Sequence, residues 1–252
     1  MRRACGRLQH VDDLTRLESW RRWLREPNAG TLTEQDAPLV RMLFTQLLDQ
    51  VLKGKENISL EVGASLVLEH HQVRTELLEL FDVLEERITH LAVPFTALPN
   101  VSLSVHARYT RQEILAACGA GDGVRTPPWR EGVKYLADLP ADIFAFTLDK
   151  TSGQFSPSTR YRDYATNREL IHWESQSTVR TSSPTGRRYQ EHIQRRSHVL
   201  LFARLTTDDR AFYFLGPATY VSHQGELPMA ITWRLQYPLS GDLFAAFAAA
   251  VA

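Results

Sequence analysis

Apolar residues recur every three or four positions through the first hundred residues and every second position through much of the remainder, so the chain changes period once. Asp12 and Asp13 stand before Leu14, Leu17, Trp20 and Leu24, the pattern of a capped helix running to Arg25. Pro27-Asn28-Ala29-Gly30 reads as a turn, and Thr31 with Glu34 has the spacing of a capping box. Leu39, Met42, Leu43, Leu47 and Val51 continue as one apolar stripe until Gly54–Asn57 breaks it. A shorter helix is expected over Leu60–Leu68 and another over Val73–Ile88, with Leu77, Leu80, Phe81 and Leu84 on one face. Stripes of this kind are packing faces, and Pro94 and Pro99 punctuate their exit.

From Val101 the pattern alternates. Val101–Val105 reads as a strand, and Thr110 with Glu113 starts a short helix over about 110–118. Gly119–Pro128 reads as a loop, flexible over Gly119–Gly123. Strands are expected at Val133–Leu136, Ile143–Leu148, Leu170–Ser175, Val199–Leu205, Phe212–Leu215 and Met229–Leu235, and an alanine-rich helix at Leu243–Val251. Short strands without long helices between them suggest a barrel or sandwich. The expected fold class is α+β: a helical domain over residues 1–100, then a mostly antiparallel, β-barrel-like domain over residues 101–252.

Composition narrows the function. Hydrophobic residues make up 43% of the 252 residues and charged residues 23%, as in an ordinary globular chain. No apolar run is long enough to span a bilayer, and the first residues lack a secretory signal, so a soluble cytoplasmic protein with no membrane partner is expected. Cys5 and Cys118 form neither a disulfide framework nor a zinc-ligand spacing, and no cofactor is predicted. Net charge is zero, but residues 150–200 hold nine basic and four acidic side chains, and almost all the basic ones are arginine. A guanidinium fork can hold a phosphate or a guanine edge with two bonds. With only four lysines in the chain, arginine is also simply its default cation.

Three polar, aromatic stretches in that window carry the candidate chemistry. Phe155–Tyr164 and Ser182–Tyr189 combine hydroxyls, arginines and aromatics, and Ile171–Ser177 adds a histidine and an amide. Arg160, Arg162, Arg187 and Arg188 are expected to bind phosphates, and Ser175, Gln176 and Tyr189 to meet base edges. Tyr161 or Trp173 is expected to stack on a base. Ser183, Thr185 and Gly186 are candidates for a backbone nest around an anionic oxygen. His172 and Trp173 must face opposite sides of their strand, with Trp173 the better core residue and His172 sharing a face with Glu174. Asp149, Asp163 and Glu174 offer a metal-dependent nuclease as an alternative, although the usual lysine after such a glutamate is Gln176 here. No glycine-rich ATPase loop and no nucleophile elbow occurs, and no enzyme activity is expected.

Taken in order, several motifs resemble a known family. They include His106-Ala-Arg-Tyr-Thr-Arg-Gln-Glu-Ile114, Arg130–Val133, Thr147–Lys150, Phe155–Thr159, Tyr161-Arg-Asp-Tyr164 and His172-Trp-Glu-Ser-Gln176. Ser183–Gly186, Phe214–Gly216, Tyr220–His223 and Ile231–Trp233 complete the series. Over residues 103–243 the chain resembles the bacterial domain of unknown function 3427, found at the C-terminus of superfamily II helicase-like proteins, often behind a phospholipase D-like nuclease domain. The helical first third, with Leu8–Asp13, is similar to the segment that precedes the domain in those proteins. The resemblance implies a nucleic-acid-associated module whose partner is DNA, together with a helicase or nuclease. It implies recognition of a sequence or a modified base in a defence or restriction setting, on a PUA/SRA-like or DNA-binding pseudobarrel fold. A protein-interaction module docking on the helicase or nuclease is the other alternative.

Overall fold

In the computed structural model, residues 6–26, 36–48, 52, 56–149 and 163–251 are described. They form two compact units, Met1–Trp129 and Arg130–Ala252.

The first unit is helical because its apolar stripes have partners at the right spacing. A single 3-10 turn (Gly6–Leu8) leads to α1 (Leu14–Arg25), whose first turn is capped by the Asp13 carboxylate accepting from the Arg16 amide at 2.9 Å. α2 (Asp36–Leu47) is fastened to α1 by the Trp20 Nε1–H, which donates to the Leu39 carbonyl at 2.7 Å. α3 (Leu60–Leu68) and α4 (His71–Glu86) follow, and Phe81 of α4 meets the Trp20 ring at 5.5 Å. The two-residue strands β1 (Val93–Pro94) and β2 (Ser104–Val105) pair antiparallel, and β3 (Arg108–Tyr109) precedes α5 (Arg111–Ala117). The capping box expected at Thr110 and Glu113 opens α5. Of Val101–Val105 only Ser104–Val105 is strand.

The boundary between the units falls after Trp129, well beyond the change of period at Val101. Long-range polar contacts tie residues 104–125 to the first helices. Fully buried Arg16 bonds Asp13, Glu113 at 3.1 Å and the Arg108 carbonyl at 2.7 Å. Gln46 bonds the Thr110 hydroxyl at 2.9 Å. The Gly119–Pro128 segment is pinned, in contrast to the flexible loop its composition suggests. Arg41 donates to the carbonyls of Ala120, Gly123 and Arg125 at 2.9, 2.7 and 2.8 Å. Gly123 has φ +55°, and a Cβ there would lie 2.1 Å from the Ile58 carbonyl oxygen, so only glycine fits.

The second unit is a bent sheet wrapped round one core. Its strands are β4 (Val133–Leu136), β5 (Ala141–Thr147), β6 (Tyr164–Ala165), β7 (Leu170–Glu174), β8 (His198–Arg204), β9 (Phe212–Gln224) and β10 (Ala230–Leu235). They run in the order β4-β5-β8-β9-β10-β7-β6, antiparallel throughout except for the parallel β5–β8 pair. β9 is thirteen residues long, against the four its alternation suggests, and serves both halves of the sheet. Register shifts at Leu201/Phe202 and Thr232/Trp233 bend it. The barrel-like expectation is corrected here. The sheet is mostly antiparallel but not closed, because the short strands β4 and β6 stay as its two edges among the described residues.

The core gathers Phe144, Trp173, Tyr189, Trp233, Leu201 and Phe247. Phe144 stacks on Trp173 with ring centroids 4.3 Å apart. α6 (Pro184–Gln190) and α7 (Gly241–Ala250) each supply buried residues to it. No helix among the described residues is long and apolar enough to cross a membrane.

Candidate nucleic-acid interface

Ser183–Gly186 is the start of α6, not an open nest. The Ser183 hydroxyl accepts from the Gly186 amide at 3.0 Å, and Pro184 takes the first helical turn, where its missing N–H is harmless. Thr185 is half-buried beside it. A Cβ on Gly186 would sit 2.1 Å from the Arg180 carbonyl oxygen, so the glycine is there for close packing. The buried positions of α6 are Gly186 and Tyr189, which leaves Arg187 on the outer side.

Tyr189 is 2% exposed and packs edge-on against Phe144 at 5.0 Å and Trp173 at 5.9 Å. Burial raises its phenol above the usual range. Trp173 is 4% exposed on the inner side of β7. Ser175 is fully buried, donating its amide to the Met229 carbonyl and accepting from the Met229 amide, both at 2.9 Å. The roles expected for these three are therefore corrected: they are core and strand-end residues, closed to a base from outside. Gln176 is half-exposed and reaches Glu131 at 3.2 Å. His172 lies on the outer side of β7, its ring stacked on Tyr164 at 4.7 Å.

The arginines divide. Arg188 donates Nε and Nη2 to the fully buried Asp142 at 2.6 and 2.8 Å and lies over the Tyr135 ring at 4.2 Å. It is an anchor for α6, and, contrary to the expected phosphate contact, its fork is taken up by Asp142. Burial raises the Asp142 carboxyl above its usual range, and the Arg188 hydrogen bonds and charge pull against it. Arg168 bonds the Leu239 carbonyl at 2.6 Å, and Arg195 pairs with Glu191 at 2.6 Å. Arg187, Arg180 and Arg196 are exposed and, among the described residues, form no ion pair. Nearby, the Glu226 carboxylate accepts from the Thr181 hydroxyl and amide, and those bonds, with attraction from Arg180, hold it below the usual carboxylate range. Arg160, Tyr161 and Arg162 lie outside the described residues.

Sequence reasoning missed the groups that fix this surface. His192, buried at the end of α6, accepts from the Tyr220 amide through Nε2 at 3.2 Å. It therefore donates from Nδ1 to the Ser197 carbonyl, and burial holds it below the usual imidazole range. The turn it anchors places Arg195 and Arg196 outward, with Arg196 at φ +53°. On the other side of the sheet, Tyr164 and Thr232 are side-chain neighbours of His172 that only strand register reveals. Asp163, one of the three carboxylates of the nuclease alternative, is buried and accepts from the Glu174 amide at 3.0 Å. Among the described residues no three His, Cys, Asp or Glu side chains form a group able to hold a metal.

A family model described as "Domain of unknown function (DUF3427)" matches residues 103–247. Among curated proteins nothing matches. Among solved structures the chain is similar to the crystal structure of Arabidopsis thaliana SUVH6 in complex with SAM, at 13% identity and a TM-score of 0.36. That match covers 88% of this chain and 40% of the other, so the chain spans less than half the length of that neighbour.

Proposed function

The chain belongs to the DUF3427 family, and from that premise we propose that it is a DNA-binding module that works by recognition rather than catalysis. Its setting is a restriction or helicase–nuclease defence system, where it reads a sequence or a modified base beside a helicase or nuclease partner. The observation that carries this reading is the exposed set Arg180, Arg187 and Arg196 on and around α6. Their backbone is fixed from within by Gly186, Tyr189, the Arg188–Asp142 pair and His192. Each phosphate that these exposed cations meet releases counterions.

The test is binding of labelled DNA across a salt series, for the intact chain and for Arg187→Ala with Arg196→Ala. Two lost phosphate contacts should lower the slope of log affinity against log salt by about 1.4–1.8. An unchanged slope and unchanged low-salt affinity overturns the proposal.

A further inference from the structure

The outer side of the sheet half formed by β6, β7, β10 and β9 carries an ordered array of polar side chains. Tyr164, His172, Thr232 and Ser222 are successive cross-strand partners, so their side chains form one row over four strands. At a strand spacing of about 4.8 Å the row is roughly 14 Å long. The adjacent row holds Glu174, Ala230 and Gln224. Tyr164 is 37% exposed and stacks on His172 with ring planes 20° apart.

These polar groups are idle. The Tyr164 hydroxyl, the His172 ring nitrogens, the Glu174 carboxylate, the Thr232 and Ser222 hydroxyls and the Gln224 amide make no hydrogen bond or ion pair among the described residues. Other polar side chains of the unit are engaged, among them Asp142 by Arg188, Ser175 by Met229 and Gln190 by two carbonyls. His172, Glu174 and Thr232 are themselves half-buried. Half-buried donors and acceptors with no internal partner fit a ligand that brings its own.

We propose that this face binds the unpaired bases of a single strand, with Tyr164 as the stacking platform and Glu174 as the acceptor for an exocyclic amino group, which cytosine, adenine and guanine carry and thymine lacks. The inference rests on the nucleic-acid reading above and specifies its strandedness and base preference. A carboxylate on the face repels phosphate, so the backbone runs off the sheet and the bases lie on it. A glutamate accepts from an amino group and repels the carbonyl that thymine presents at the same place, so thymine can offer it only the N3–H. His172 covers one face of the Tyr164 ring, so a base stacks on the other face, and Glu174, two residues and about 6.7 Å from His172 along β7, meets the amino group of a neighbouring base. A paired base has neither a free face nor a free edge, so duplex is excluded from this site.

The experiment measures anisotropy of labelled homopolymeric dC, dA and dT strands and of a duplex with the full chain. Single-stranded dC and dA should bind more tightly than dT. Tyr164→Ala should weaken them roughly 5- to 100-fold, and Tyr164→Phe should not. The salt slope should be the same in both variants, since no phosphate contact is removed. Glu174→Gln, nearly isosteric and at a half-exposed position, should erase the preference over dT even if the tyrosine variant proves unstable. Equal affinities in all variants, or tighter duplex binding insensitive to Tyr164 and Glu174, overturns the inference while leaving the arginine-dependent reading in place. No nucleic-acid binding by the unaltered chain overturns both.

Discussion

Replacing Arg188 by alanine should destabilise the second unit, and by an amount that depends on pH. Asp142 is fully buried on β5, and two short charge-assisted bonds from Arg188 are its compensation. Removing one partner of a buried pair costs about 3–5 kcal/mol, because the other charge is left in the interior. The Arg188 side chain is 22% exposed, which moves the expectation toward the lower end. Its cover over the Tyr135 ring restores roughly 1 kcal/mol of loss. At neutral pH the net penalty is therefore about 3–4 kcal/mol. The sign with pH follows from burial, which raises the Asp142 carboxyl in the fold even with Arg188 present. A raised carboxyl favours the fold below its unfolded value of about 3.9 and loses that contribution as pH climbs through the folded value. Without Arg188 the folded value rises further, so the penalty is largest at neutral pH and shrinks toward pH of about 4. Urea melts at both pH values, followed through the buried Trp173 and Trp233, measure it. Equal penalties at the two pH values, or a neutral-pH penalty below about 1 kcal/mol, would mean that Arg188 does not compensate a buried Asp142 charge. Asp142→Asn combined with Arg188→Met should recover part of the loss, since no charge is then stranded.

Two other predictions concern sites outside that pair. Burial pushes the Glu113 carboxyl up, but His10 at 2.6 Å, Arg16 and the Thr110 amide outweigh it and hold it at about 2, against an ordinary 4.5. That contribution, about 3 kcal/mol, is present above pH 4.5 and lost as pH falls toward 2, so Glu113→Gln should differ from the parent at neutral pH and converge with it in acid melts. Gly186→Ala forces a Cβ against the Arg180 carbonyl, must shift α6 or the turn before it, and should cost about 1–3 kcal/mol in a urea melt.

How much of this is legible in the residues alone depends on whether the cause is local. Helix starts are: Asp13 and Thr110 cap through neighbours three residues away, so the residues themselves announce α1 and α5. The alternation of β7 likewise puts His172 outside and Trp173 inside. α6 escapes sequence reasoning because Ser183-Pro-Thr-Gly186 serves equally as a turn and as a helix opening, and seven residues carry too little periodicity to decide. Without the helix, Tyr189 has no inner face and reads as a base contact. Gly119–Gly123 is glycine-rich and suggests freedom, yet Arg41, far away in sequence, supplies its missing donors. The arginine window fails for the same reason: composition cannot separate Arg188, whose carboxylate is on a distant strand, from Arg187 one residue before it.

That separation sets how strongly electrostatics can act. If Arg180, Arg187 and Arg196 each meet one phosphate, three counterions are released and the salt slope lies at about 2–3. Affinity would then fall roughly 20- to 40-fold between about 50 and 200 mM salt, far less than for proteins making six to ten phosphate contacts. So few cations leave most of the binding free energy, and all of the selectivity, to groups that touch bases. The residues behind α6 cannot do this, because Trp173, Tyr189 and Ser175 are turned into the core. The idle row on the outer side of β6-β7-β10-β9 can, since its hydrogen-bonding groups are exposed or half-exposed and already aligned by strand register. With zero net charge over the whole chain, binding of a polyanion rests on such local surfaces. The salt slope and the Tyr164 effect should therefore be separable in one set of titrations: arginine substitutions change the slope, and tyrosine substitution changes the intercept alone.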